Sequence, residues 1–398
     1  MDYKSLPTGA LHAIVREHIR GHRPTWAEID LKNLVHNYQT VKQHIGPKVG
    51  IVTMVKADAY GHGSIRIARA LEPIGADWFG VALPEEGVAL REAGITTPIM
   101  CCGGFWQDQE TSIVEFNLTP VVYRVDMVAT LNEAARKAGV IVDYHLKVDT
   151  GMGRLGVPYW ELEKFLEEIK RFNHVYLDGV LTHFASADDT AQDDFTAEQV
   201  RRFDSSVRSV AVAGFKPTYF HLSNSAGTQS HPEAWGNLVR TGGLIYGLWQ
   251  DTTAPVATPL DLRPVMSLHS RITLLKDVPA GQSLGYGCTF QTSRQSIIAT
   301  LPVGYDDGYR RDLSNNAKVI VLSPAGPQYA DVVGRVSMDI VLLDVTDVKG
   351  VSLGNQVTML GERDGLSITA ADLAARVGTI SYEITCNISG RVPRIYCQ

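Results

Sequence analysis

The chain has 398 residues, 44% hydrophobic and 20% charged, with a formal net charge of −6. That length exceeds one ordinary domain and predicts two, each with a packed soluble core. The mild acidity argues against a large footprint on a phosphate backbone, and so against nucleic acid as the main partner.

Residues 1–24 read as an N-terminal extension. Leu11, Ile14, Val15 and Ile19 fall near helical spacing, and Met1–Gly21 has no apolar stretch that could serve as a signal-peptide core. No segment approaches the ~20 apolar residues needed to span a bilayer. Five cysteines, an odd number without zinc-like spacing, read as free thiols in a reducing compartment. A cytoplasmic protein without membrane attachment or metal is therefore expected.

Residues 25–260 alternate apolar β-type runs with helical patterns. The runs are Gly50–Val55, Trp78–Val81, Pro98–Met100, Thr119–Val122, Asp143–Val148, Leu177–Thr182, Thr218–Leu222 and Asn237–Arg240. Between them Gly63–Glu72, Pro84–Ala93, Val125–Ala138, Tyr159–Lys170 and Ala191–Ala213 carry helical periodicity. Eight βα units of this kind predict a (β/α)8 barrel of the usual ~250 residues. The Pro/Thr-rich stretch Thr252–Leu262 reads as a boundary. Residues 261–398 change character. Val265–Leu275, Ser296–Leu301, Lys318–Leu322, Ile340–Asp344 and Gln356–Leu360 read as strands, and only Ile368–Val377 as a good helix. That predicts a second, mainly antiparallel β domain.

A barrel of this type works at the carboxyl ends of its strands. Strand one ends in Lys56, and strand five carries Lys147 and Asp149. Strand six ends in His183, strand seven in His221, and strand eight in Arg240 followed by Thr241-Gly242-Gly243. Any one of these alone reads as a solvated rim residue. Together they form a cationic cup suited to an aldol enzyme, a decarboxylase or a pyridoxal-phosphate (PLP) enzyme. The glycine pair lets backbone N–H groups approach a phosphate, although glycine pairs also serve ordinary turns.

The segments Val55–Gly63 (VKADAYGHG), Leu146–Gly156 (LKVDTGMGRLG), Leu284–Gly287 (LGYG), Pro302–Gly308 (PVGYDDG), Gly334–Asp339 (GRVSMD) and Arg391–Arg394 (RVPR) resemble the alanine racemase family, a fold-type III group of PLP enzymes. The resemblance runs from about Arg23 to the C-terminus. It implies interconversion of L- and D-alanine, supplying D-alanine for peptidoglycan, by a two-base mechanism in a homodimer.

Residue by residue, the resemblance gives Lys56 the covalent link to PLP. Tyr60, Tyr382, Ser225 and the backbone of Gly242 and Gly243 would cradle the phosphate. The family often has bulkier residues around this glycine pair. Arg240 would meet the pyridine nitrogen; an arginine accepts no proton, so the ring stays neutral. Lys56 would serve one face of the substrate and Tyr286 the other. Tyr286 would need assistance, for which His183 and Arg240 are candidates, with His221 behind them. Tyr286, Met338 and Asp339 would come from the partner subunit, and Tyr305 would line the entrance. Arg154 would bind the substrate carboxylate or position Tyr286. Lys147 is often carbamylated in the family, becoming an anion that holds the arginine. Glu383 is expected to be structural.

Competing readings are a broad-specificity racemase acting on serine, a decarboxylase of this fold, and a non-catalytic PLP-binding homeostasis protein. Retention of Lys147 favours alanine. A decarboxylase would not need Tyr286, and the homeostasis proteins consist of the barrel alone.

Overall fold

In the computed structural model, which describes residues 21–248 and 259–398, eight parallel strands form a barrel. They are Gly50–Met54, Trp78–Val81, Ile99–Cys101, Thr119–Val122, Val142–Asp149, Val175–Leu181, Tyr219–His221 and Leu238–Thr241. The eighth strand pairs with the first in register. The seam to the seventh is bridged by Asn237 N to Phe220 O at 3.0 Å and Arg240 N to Ser223 O at 3.0 Å. The strands are near-continuous apolar runs because both faces are buried. Val52, Met54, Trp78, Met100, Val121, Leu181 and Leu238 fill the interior, while alternate residues pack outward against the helices.

All eight expected barrel strands are present, shifted by at most two residues at their ends. The helical patterns settle into Ser64–Leu71, Pro84–Glu92, Val125–Ala138, Leu162–Ile169 and Asp193–Val212. The expected helix around Leu11–Ile19 and most of the Thr252–Leu262 boundary lie outside the described residues.

The second domain is built on a long, mainly antiparallel sheet. Its strand order is Leu274–Val278, Ser296–Leu301, Val341–Asp344, Gly326–Val333, Lys318–Ser323, Gln356–Arg363, Met266–Arg271, Trp26–Asp30 and Arg394–Cys397. Two expectations need correction here. Trp26–Asp30, assigned to the barrel by the sequence boundary, belongs to this second sheet. It lies antiparallel to Met266–Arg271 and parallel to Arg394–Cys397. Val265–Leu275 is two strands, not one. Ile272 N bonds to Asn355 O, whereas Thr273 N bonds to Thr300 O. The chain therefore changes pairing partner between adjacent residues, and a corner results.

The helix Leu31–Ile45 then carries the chain into the barrel. Asp30 caps it by accepting from Asn33 N at 2.9 Å. Leu31, Leu34, Tyr38, Val41 and Ile45 form its buried stripe. Asn37 ties it to the domain junction, donating from Nδ2 to the Ile245 and Arg263 carbonyls. The two domains are thus stitched by the chain's own crossing.

Candidate functional site

At the carboxyl ends of the barrel strands lies a cavity of about 690 Å³. Its wall collects Lys56, Tyr60, Lys147, Arg154, His183, Ser225, Arg240, Gly242, Gly243 and Tyr382. These ten are scattered over more than three hundred residues of sequence, yet the barrel topology aims them at one space.

Lys56 follows the first strand. The next four residues, Ala57, Asp58, Ala59 and Tyr60, all have left-handed backbones, with φ between 51° and 56°. Each costs an L-residue roughly 1–2 kcal/mol. The turn is held internally by Ala59 N to Val55 O at 2.8 Å and Gly61 N to Ala57 O at 3.0 Å. From outside, Arg394 Nε donates to Gly61 O at 3.1 Å. The VKADAYGHG and RVPR motifs therefore meet in space.

The turn aims the Tyr60 ring at the glycine pair. A side chain at Gly242 would run into the Tyr60 hydroxyl, and one at Gly243 into the Tyr382 hydroxyl. Both glycines are needed so that two phenols can approach one stretch of backbone. Ser225 Oγ accepts from Gly242 N at 2.9 Å. Burial, and next the Tyr382 phenol, push the Tyr60 hydroxyl far up, so it stays a donor. Hydroxyls and backbone N–H groups converging without a carboxylate fit a phosphate.

Arg240 is buried and fully engaged. Nη2 donates to Thr182 O at 2.6 Å and Leu222 O at 2.9 Å, and Nη1 to His221 O at 3.0 Å. Nη1 also lies 3.0 Å from His221 Nδ1, and Nη2 lies 3.2 Å from His183 Nδ1. A guanidinium only donates, so both Nδ1 atoms must be acceptors and both imidazoles carry their proton on Nε2. His221 Nε2 then donates to His145 Nδ1 at 2.9 Å. One arginine thereby sets the tautomer of three histidines. Burial, reinforced by Arg240, holds all three neutral: His183 falls to about 2, His145 to about 3, and His221 well below its ordinary value. Burial also draws Arg240 down to about 10, which leaves it charged near neutrality.

Sequence reasoning missed His145, although it lies two residues before Lys147 on one strand and so shares its face. Gly179 makes room for it, since a Cβ there would sit 2.5 Å from His145 Nδ1.

Lys56, Lys147 and Arg154 make no hydrogen bond or ion pair to another described residue. Lys147 is 5% exposed, and burial followed by repulsion from Arg240 and Arg154 lowers it to about 8. The lining sets Lys56, Lys147, Arg154 and Arg240 against a single carboxylate, Asp188, an excess of positive charge suited to a carboxylate.

Tyr286, Tyr305, Met338 and Asp339 are not in this cavity. Tyr286 tops a tight turn in the second domain, flanked by Gly285 and Gly287 with φ near 70°, and is 72% exposed. Its turn rests on Gly334–Arg335. Tyr305 N donates to Ser337 O at 3.0 Å and Asp306 N to Met338 O at 3.2 Å. Arg391 joins Asp306 to Asp339. LGYG, GYDDG, GRVSMD and RVPR thus build neighbouring parts of one exposed surface, with Met338 51% and Tyr305 40% exposed. Glu383 pairs with Arg310 at 2.9 Å, away from the cavity.

Residues 29–250 match the family model of the alanine racemase N-terminal domain, and residues 265–396 that of its C-terminal domain. An alanine racemase of Geobacter sulfurreducens is 41% identical, over 94% of this chain and 97% of that protein. One of Symbiobacterium thermophilum is 42% identical, over 94% and 98%. The solved alanine racemase of Clostridium difficile superposes with a TM-score of 0.86 at 34% identity, covering 94% of this chain and 96% of that one. The Bartonella henselae enzyme, solved with covalently bound pyridoxal phosphate, gives 0.83 at 28%, covering 94% and 99%. With both domain models matched in order along nearly its whole length, the chain belongs to the alanine racemase family.

Proposed function

We propose that this chain interconverts L- and D-alanine with PLP held on Lys56, as a cytoplasmic homodimer. The observation that carries this reading is the meeting, in one cavity, of a free lysine, a set of hydroxyl and backbone N–H donors, and a buried arginine. Bound PLP would supply an electron sink that acidifies the substrate Cα–H. Tyr60, Tyr382, Ser225, Gly242 and Gly243 would hold its phosphate, and Arg240 would face its ring nitrogen without giving up a proton. Lys56 would move the proton on one side of Cα. Tyr286 of the partner subunit would serve the other, with His183 donating toward its oxygen. Arg154 would take the substrate carboxylate, with Lys147, carbamylated, keeping it in place. Met338 and Asp339 of the partner subunit would close the cup, and Tyr305 of the partner subunit would narrow its entrance.

The test is an absorption spectrum followed by turnover of L-alanine in deuterated water. A visible band of lysine-bound PLP, with deuterium at Cα of newly formed D-alanine, is expected. A band without turnover removes alanine as the substrate, and no band after adding PLP removes the role of Lys56.

Arg154→Met should raise KM for alanine by roughly 10- to 100-fold, the worth of a charge-assisted hydrogen bond, with the PLP band intact. An unchanged KM would remove Arg154 from carboxylate binding.

A further inference from the structure

We infer that Glu86 is a positioning residue that holds the Lys56 turn in its left-handed form, so that its carboxylate governs how firmly PLP is held. This rests on the reading of Lys56 as the PLP lysine. Glu86 occupies the third position of the helix Pro84–Glu92. A glutamate there ordinarily reaches back to the cap N–H of its own helix. This one does so, accepting from Leu83 N at 3.2 Å, and goes further. Oε2 also accepts from Ala82 N at 2.7 Å, and Oε1 accepts from Ala57 N at 2.7 Å. Three backbone N–H groups from two βα loops share one carboxylate.

Ala57 is the residue directly after Lys56 and the first of the four left-handed ones. Its N–H takes no part in the turn's own hydrogen bonds, which are donated by Ala59, Gly61, His62 and Gly63. Val55 N already bonds to Gly80 O on the second barrel strand at 2.7 Å, and Glu86 carries that tie past Lys56 to Ala57, where the left-handed backbone begins. Right-handed backbone is the lower-energy form for Ala, Asp and Tyr. A released turn relaxes toward it and swings Lys56 and Tyr60 together, because Lys56 directly precedes the strained residues and Tyr60 is the last of them.

A neutral amide cannot replace this acceptor pair. In Glu86→Gln one of the two positions becomes a donor and faces a backbone N–H. Hydrogen exchange across residues 55–63 should become roughly tenfold faster, the worth of a hydrogen bond to a charged group. PLP affinity, titrated by the visible band, should fall by a similar factor. Ala57→Gly, which removes the cost of the left-handed φ at an exposed position, should restore much of both losses in the double variant. Glu85→Gln removes the same charge one residue away, where Glu85 accepts from Gln109 Nε2 at 3.0 Å, and should change neither.

If E86Q exchanges and binds PLP like the unaltered protein, the inference is wrong. It is equally wrong if both losses occur but A57G does not reduce them. Should E86Q not fold, the unaltered protein still decides. The exposed Ala57 amide must be as protected as a strand amide, and free exchange there overturns the clamp. Absence of any PLP band in the unaltered protein would instead sink the proposed function, while amide protection would still report on Glu86.

Discussion

Replacing Tyr286 with Phe is expected to lower racemisation in both directions by roughly 10²- to 10⁴-fold, the usual contribution of one acid–base group. The PLP band should persist, because Tyr286 lies outside the cavity lined by Lys56, Tyr60, Ser225 and Tyr382. The two-base reading makes a sharper demand. Lys56 can still exchange the Cα proton of D-alanine with solvent, so deuterium should enter D-alanine while little L-alanine forms. Loss of exchange from both isomers would mean that Tyr286 supports the whole site instead of one face.

The same residue tests the dimer. If Tyr286 acts across an interface, a Lys56→Ala chain and a Tyr286→Phe chain repair each other: one supplies the tyrosine, the other the lysine. Random pairing in a two-fold dimer gives half mixed dimers with one complete site of two, so about a quarter of full activity should return on mixing. No recovery after subunit exchange would return Tyr286 to its own chain's site.

The barrel was legible because parallel strands buried on both faces read as unbroken apolar runs, and because strand ends are where this architecture puts its polar groups. What escaped was whatever depends on distant partners. Trp26–Asp30 gains its strand character only from Met266–Arg271 and Arg394–Cys397, and nothing local in five residues announces that. Gly326–Val333, not among the expected strands, begins with Gly and Pro, yet its first six residues pair with Lys318–Ser323. Backbone hand is equally silent: Ala57–Tyr60 has the composition of an ordinary helix start, and its left-handed φ values follow from the tertiary setting. The site motifs were readable as residue types. The bonds that hold them, such as Arg240 to His183 and His221 or Glu86 to Ala57, required the coordinates.

Stability should fall steeply with acid, beginning below about pH 6.5. Four histidines lead this, His62, His145 and His221 buried and His183 partly so. His62, His145 and His183 are lowered by burial to about 4, 3 and 2, and His221 lies well below its ordinary value. Unfolded, each titrates near about 6.5. As pH drops through that value, the unfolded chain takes up protons that the folded chain refuses, so the unfolded state gains. The loss approaches about 1.4 kcal/mol per histidine per pH unit, and about 2 kcal/mol each by pH 5. Four such groups rival the whole stability of an ordinary domain, about 5–15 kcal/mol. Carboxylates lowered in the fold, such as Glu28 at about 2, add their loss only below about pH 4.5, so the first descent belongs to the histidines. Urea unfolding at one fixed protein concentration, at pH 7.5 and 5.5, checks this. The midpoint should drop markedly at the lower pH. His145→Asn keeps an acceptor for His221 Nε2 but removes one titrating ring, and should make the slope shallower by about 1.4 kcal/mol per pH unit. Equal midpoints at the two pH values would mean that these rings take up protons in place, and that the neutral network around Arg240 is not maintained.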